Sequence, residues 1–281
     1  YPGITAEAFT SDADRWALEK LKKVPLLPLV LRKFHDIGFD RWAYCMNMAM
    51  SVRCGPKQYP TLYGIFQESC RILDMPEPEL YISSNPWPNA FAGGVERPYV
   101  TVHCSMVETL SDDQLYYLIG HELGHIKAEH VLYFQVGSIL LGLLDALGRK
   151  TLGTSDVASW ALIVAFYEWV RQAEYSADRA GLIVSQSLND SIDSLISMTA
   201  GPNRMSGEVN REAFMDQARA YSNMDGLDQL GKALLFYLMN WHMTHPFPVA
   251  RAQELEKWVN SGTFDKILAG DYPKVETAEV A

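Results

Sequence analysis

A chain of 281 residues with 48% hydrophobic and 21% charged side chains has enough apolar material for one large core or two small ones. Its formal net charge of −10 argues against a nucleic-acid partner or docking on an anionic membrane by bulk charge, because both need a cationic field, and leaves peptides open. Cys45, Cys54, Cys70 and Cys104 show neither CxxC spacing nor a dense framework, so reduced, partly buried thiols are expected rather than a zinc ribbon or disulfide scaffold.

The chain opens at Tyr1 without a Met or a basic-then-apolar leader, as after removal of a signal or trimming of the start. Residues 12–54 read as helical: "DADRWALEKLKKV" behind an Asp cap, "PLLPLVLRKFHDIG" broken by prolines, then "DRWAYCMNMAMSV" after Gly38. "YPTLYGIFQESCRIL" predicts another helix, ended by the two prolines of "DMPEPEL". "ELYISS" and "YVTVHCS" alternate and carry β-branched and aromatic residues, so both are expected as strands, with "NAFAGG" between them as a short edge strand.

From Ser111 the pattern is helical almost to the end. "SDDQLYYLIGHELGHIKAEH" starts at a Ser cap with two aspartates in the first turn, where the helix dipole favours them. Two apolar runs come next, 131–144 and 157–170; both are shorter than the ~18 to 20 residues that span a bilayer and are bounded or interrupted by Asp145, Arg149, Lys150 and Glu168. They are expected as buried helices, with membrane-surface contact the alternative. Residues 189–200, 208–222, 227–241 and 248–260 read as amphipathic helices, and "GDYPKVETAEVA" as a frayed tail.

Within "GHELGHIKAEH", His121 and His125 are four apart and lie on one helix face, so both rings can point a nitrogen at one ion. That is the metal-binding half of an HExxH pattern, and it requires a third ligand. Glu129 shares the face, but three groups in line span about 12 Å and cannot converge on one ion, which places it on the surface. His130 stands about 140° around the helix from His125 and is expected to point elsewhere. A third His six residues after the second is ruled out, because that position is Val131.

The better third ligand lies in "YEWVRQAEYSADRAG". Trp160, Ile163, Val164, Tyr167 and Val170 form an apolar stripe at helical spacing whose continuation reaches Glu174 and then Asp178. Acids on a buried stripe have to be paired or metal-bound. Glu174 would complete a His, His, Glu set with an open fourth position, the arrangement of a catalytic zinc, and Asp178 would accept a proton from the outer nitrogen of a ligand His. Salt bridges to Arg171, Arg179 or another base are the competing reading of both acids. Glu122 is then free to act as general base and acid, with a surface ion pair as its alternative.

These residues resemble the HtpX-type and CAAX-prenyl-type zinc endopeptidases of the gluzincin clan. The likeness runs in order over roughly 75–260, through "NAFAGG", "YVTVHCSMVETLSDDQL", "IGHELGHI", "EYSADRAG" and "THPFPVAR". It implies one zinc ion on His121, His125 and Glu174, Glu122 as general base and acid, and Asp178 behind a ligand. It further implies His245 beside the site as a donor to the developing oxyanion, Arg251 holding nearby acids or substrate, and Asn89 facing substrate at an edge strand. An edge suits an extended peptide, which can add itself as a further strand. The spanning helices of integral-membrane relatives have only short, charge-bounded counterparts here, which implies a cytoplasmic or membrane-peripheral relative with no spanning segment.

The expected architecture is α+β and predominantly helical, a gluzincin-type zincin with a small sheet and an active-site helix. Residues 1–56 would form a helical extension that shields the cleft or binds a partner, 57–265 the metallopeptidase domain and 266–281 a tail. The expected function is zinc-dependent endopeptidase action on peptide or unfolded protein. A latent or non-cleaving zinc-containing chaperone or binding module of the same fold, and a membrane-surface protease, are its rivals.

Overall fold

The alternating stretches of the sequence pair into one four-stranded sheet. The structure, a computed structural model, describes residues 1–23, 38–135, 137, 157–201, 205–225, 228, 231, 245 and 247–275. Strands β1 (Ser51–Arg53), β2 (Glu79–Ser83), β3 (Ala90–Gly93) and β4 (Tyr99–His103) stand in the order β1-β2-β4-β3. β2 and β4 run parallel, and the two outer pairs are antiparallel. β4 is buried along its whole length, as suits an inner strand covered on both faces. β3 is an edge, the place read for "NAFAGG".

Around the sheet the chain is helical, giving the α+β, predominantly helical architecture expected. α1 (Asp12–Lys22) is capped by Ser11 rather than by an Asp: the Ser11 hydroxyl accepts from the Asp14 N–H at 3.0 Å, which leaves the Asp14 carboxylate for other partners. α2 (Phe39–Met50) ends where β1 begins, so the helical reading of 12–54 fails at its last residues. A three-residue strand carries no periodicity of its own and takes its order from its partner, here through Val52 opposite Ile82. α3 (Pro60–Ile72) leads the chain to the sheet, and α4 (Cys104–Thr109) leads it away.

α5 (Asp112–Lys127) opens with a reciprocal cap: Ser111 Oγ accepts from the Gln114 N–H, and the Gln114 side chain accepts from the Ser111 N–H. α6 (Val157–Ser185), α7 (Leu188–Ala200), α8 (Arg211–Ser222), α9 (Pro248–Asn260) and α10 (Thr263–Leu268) complete the described helices. The expected helix over 227–241 and most of the runs 25–38 and 131–144 lie outside the described residues. Among the described residues no helix is long and apolar enough to cross a membrane.

α5 and α6 meet through small residues. A Cβ on Gly124 would stand 2.6 Å from the Ala180 Cβ, and one on Gly120 would stand 2.6 Å from the Val184 Cβ. Gly181 of α6 answers them, where a Cβ would stand 2.7 Å from the Tyr117 carbonyl. The two backbones therefore approach closely, which lets short side chains on facing turns converge.

One core joins distant parts of the chain. Ile4, Ala8 and Phe9 pack in the same cluster as Leu62, Val100, Leu118, Leu182 and Leu255, and Phe264 and Ile267 of α10 join them. The Thr5 N–H donates to the Pro273 carbonyl at 3.0 Å and the Val275 N–H to the Gly3 carbonyl at 2.8 Å. Residues 271–275, read as the start of a frayed tail, are thus paired with residues 3–5; residues 276–281 lie outside the described set.

Candidate active site

Facing turns of α5 and α6 bring His121, His125, Glu174 and Asp178 together, all four buried. Glu174 Oε2 lies 3.4 Å from His121 Nε2, and Glu174 Oε1 lies 3.4 Å from His125 Nε2. The buried side of α6 passes through Phe166, Trp169, Ala173, Ala177 and Ala180, whereas Tyr167 and Val170 of the expected stripe are half-buried. Trp160, Ile163 and Val164 lie outside the residues whose side chains are described. The stripe is rotated from the reading, yet its continuation to Glu174 and Asp178 stands.

The donor set fits a metal ion on its own chemistry. His121 Nδ1 lies 2.9 Å from Asp178 Oδ1, and His125 Nδ1 lies 3.0 Å from His130 Nδ1. Where each Nδ1 carries the proton of a neutral ring, each ring keeps its Nε2 lone pair, and the two Nε2 atoms face each other at 3.1 Å. Two lone pairs at that distance repel unless a proton or a metal ion lies with them. Glu174 Oε2 is buried beside them without a hydrogen-bond partner. A buried carboxylate oxygen in that condition points to an ion.

Asp178 is the hub behind His121. It accepts from the Tyr117 hydroxyl at 2.7 Å, from Arg251 Nε at 2.9 Å on Oδ2, and from an Arg251 terminal nitrogen at 2.5 Å on Oδ1. Burial would raise its pKa, but the Arg251 charge and the His121 bond hold it well below the usual carboxylate range. Arg251, on α9, is 5% exposed and committed to Asp178. Of the two tasks expected of it, the contact seen is the one with an acid. Arg171 pairs with Glu168 and Arg179 lies over the Trp258 ring, whereas Asp178 does meet the competing reading, as a salt bridge with another base, Arg251.

Glu122 sits beside this set, 2% exposed. Burial pushes its carboxyl up to about 7, opposed by the positive side chains of His121 and Arg251 and by the backbone N–H of Ala92 on β3. The candidate base therefore lies near the edge strand. In the β3–β4 ladder the His103 N–H donates to the Asn89 carbonyl at 3.0 Å, so odd-numbered residues bond β4 and the backbone groups of Ala90 and Ala92 turn to the free edge. Asn89 itself is half-buried at the head of β3.

His245 comes in from the far end of the chain. Its Nε2 lies 3.6 Å from Glu174 Oε2 and its ring 5.6 Å from that of His121. Burial pulls its pKa down to about 4, so the ring is neutral near pH 7. Its nitrogen also falls within 4.8 Å of ligand atoms of His121 and Glu122.

His130 overturns its sequence reading. α5 ends at Lys127, Glu129 takes a left-handed φ of 61°, and a new helical turn starts over 130–135, so the 140° projection from a continuous helix does not apply. His130 swings back onto His125, fully buried, and reaches Asp14 Oδ2 with Nε2 at 3.1 Å. Asp14 of α1 also accepts from Trp169 Nε1 at 3.1 Å. The stretch expected as a helical extension that shields the cleft or binds a partner thus reaches, through Asp14, to within one side chain of His125. The signal was an Asp in a first helical turn, indistinguishable in sequence from a dipole partner. Glu129 is exposed, as expected, 3.7 Å from Lys22.

Comparison with known proteins decides the family. The model of peptidase family M48 matches residues 56–259. The chain belongs to peptidase family M48. Among M48-related proteins, the chloroplastic plastoglobule-localized metallopeptidase 48 of Arabidopsis thaliana is 30% identical over 233 residues, 79% of this chain and 63% of that protein. Protease HtpX homolog 2 of Methanosarcina mazei is 24% identical over 222 residues, covering 70% of this chain and 72% of its own. A protease HtpX homolog of an Arthrobacter species is 30% identical over 178 residues, 55% of this chain and 62% of its own. This M48 chain thus spans somewhat under two thirds of the plant relative's length. Its family places it in the metallopeptidase class, as the resemblance to HtpX-type enzymes implied.

Proposed function

We propose that this M48 chain is a zinc-dependent endopeptidase that cuts extended or unfolded polypeptide, with His121, His125 and Glu174 holding the metal. The observation that carries the reading is the pair of inward-facing Nε2 atoms 3.1 Å apart beside the orphaned Glu174 oxygen. Zinc on such a set supplies a Lewis acid and brings the pKa of water to about 7.

The chain's own groups supply the rest. Glu122, with its carboxyl raised to about 7 by burial, takes a proton from the attacking water and returns it to the leaving amine. Asp178 accepts from His121 Nδ1 and keeps Nε2 directed inward. Neutral His245 has one N–H to offer the negative charge that develops on the carbonyl oxygen. The free edge of β3 supplies backbone partners to an extended chain passing Asn89, which favours cutting within a polypeptide because strand addition needs no terminus. An intact Glu122 beside the ligands argues against a non-cleaving binding module.

The test is cleavage of an unfolded protein mixture by zinc-loaded wild type beside zinc-loaded Glu122→Gln, with new peptide ends read by mass spectrometry. Wild type should cut, Glu122→Gln should cut about 10²- to 10⁴-fold more slowly, and a chelator should stop wild type until zinc is returned. Activity that survives metal removal, or a fully active Glu122→Gln, would overturn the reading.

A further inference from the structure

The two histidines of the proposed metal set are supported differently. Behind His121 stands a carboxylate in direct contact; behind His125 stands another imidazole, and only behind that a carboxylate. We propose that Asp14 and His130 are positioning residues for the metal centre, a relay from the first helix that fixes which nitrogen of His125 is offered to the ion. The proposal rests on the reading of His125 as a metal ligand.

Matching donors to acceptors assigns the proton of each ring in turn. Asp14 already receives the Trp169 N–H on Oδ1, and its Oδ2 lies 3.1 Å from His130 Nε2. A carboxylate only accepts, so His130 must carry its proton on Nε2. A neutral His130 then shows a lone pair at Nδ1, which lies 3.0 Å from His125 Nδ1. That contact is a hydrogen bond only if His125 is protonated on Nδ1. His125 is left with its lone pair on Nε2, the atom that faces His121 Nε2 and Glu174.

With both rings neutral, the order cannot be reversed without leaving a donor against a donor or a lone pair against a lone pair, in a region closed to water. Asp14, His125 and His130 are each no more than 4% exposed. Ring rotation is opposed as well: Phe134 lies 5.2 Å from the His125 ring, and Trp169 lies 6.0 Å from the His130 ring. A purely structural ion pair would require Asp14 and His130 to satisfy each other, but not His130 to present its second nitrogen to His125. The N–H of Asp14 is held separately by the Ser11 hydroxyl, so its carboxylate is aimed by the helix start as well as by its partners.

The position of Asp14 gives this relay its reach. The family match begins at residue 56, so the anchor of one proposed ligand comes from a part of the chain that the family pattern does not include.

The test uses the whole chain and reads zinc affinity by chelator competition and histidine tautomers by nitrogen-15 NMR of the zinc-loaded protein. Wild type should show the proton of His130 on Nε2 and that of His125 on Nδ1. Asp14→Ala and His130→Phe should weaken zinc binding about 10- to 100-fold, the usual effect of losing a partner behind a ligand. His130→Gln, whose amide can accept from His125 and donate to Asp14, should recover most of the loss, which a packing role alone would not predict. Wild-type His130 protonated on Nδ1 would overturn the relay even if every variant misfolded. Folded Asp14→Ala and His130→Phe proteins that bind zinc like wild type would also overturn it. Failure of wild type to bind one zinc ion per chain would instead remove the metal reading on which the relay stands.

Discussion

Asp178 serves three donors at once, from Tyr117, His121 and Arg251, so removing its charge does more than unhook a ligand. Asp178→Asn leaves the buried Arg251 guanidinium without its counter-ion and should cost about 3–5 kcal/mol, read as a fall in the urea midpoint of unfolding. In the metal-free protein burial lowers the His121 pKa, but the adjacent carboxylates of Asp178 and Glu174 win and raise it from 6.5 to about 9. A ligand histidine must be neutral, so zinc uptake near pH 7 should release a proton from this ring, seen as a calorimetric enthalpy that varies with the ionisation heat of the buffer. The raised value has a stability consequence too. The contribution of His121 to the metal-free fold is fully present below pH 6.5 and is lost as pH rises through about 9, so metal-free protein should weaken across that window. A flat urea midpoint from pH 6 to 9 in metal-free protein would contradict it.

At the scale of elements, the α5–α6 contact sets the spacing of the candidate ligands. Gly124→Ala would place a methyl 2.6 Å from the Ala180 Cβ and 3.3 Å from the Ala177 backbone. Forced separation should cost about 1–3 kcal/mol and also weaken zinc binding; a variant that loses stability but keeps wild-type affinity would show that the helices can part without moving the ligands. Much of this pair was legible. His121 and His125 came from helical spacing, and Glu174 and Asp178 came from carrying an apolar stripe onward, although the buried face of α6 runs through Trp169 and Ala173 instead of Tyr167 and Val170. The strands β2, β3 and β4 were legible because alternation and two glycines mark them. Tertiary contact set the features that escaped the reading. β1 is three residues with no period, and His130 was projected along a helix that in fact stops at a left-handed Glu129, a conformation that nothing in its side chain announces. Arg251, legible only as a family signature, finds its acid 73 residues away.

For the molecule as a whole, Ile4, Ala8, Phe9 and Cys54 pack into the same core as the helices and strands after residue 57. Ile4 and Phe9 are at most 1% exposed within the main cluster, and Phe9→Ala should cost about 3–5 kcal/mol, measurable by chemical denaturation. We propose on this ground that residues 1–23 and 57–275 fold as one unit, and that a fragment cut at residue 56 gives no cooperative unfolding transition. The same long reach has a meaning for synthesis. His130 meets Asp14 across 116 residues, and Asp178 meets Arg251 only when α9 has been made. Chains leave the ribosome from the N-terminus at about 5–20 residues per second, so Asp178 is exposed for several seconds before its arginine arrives. During that interval a half-made chain has the HExxH turn but lacks the arginine and the late histidine that complete the cleft. If it cuts unfolded polypeptide as proposed, the chain is thereby kept from an assembled cleft while it is itself unfolded and beside other nascent chains.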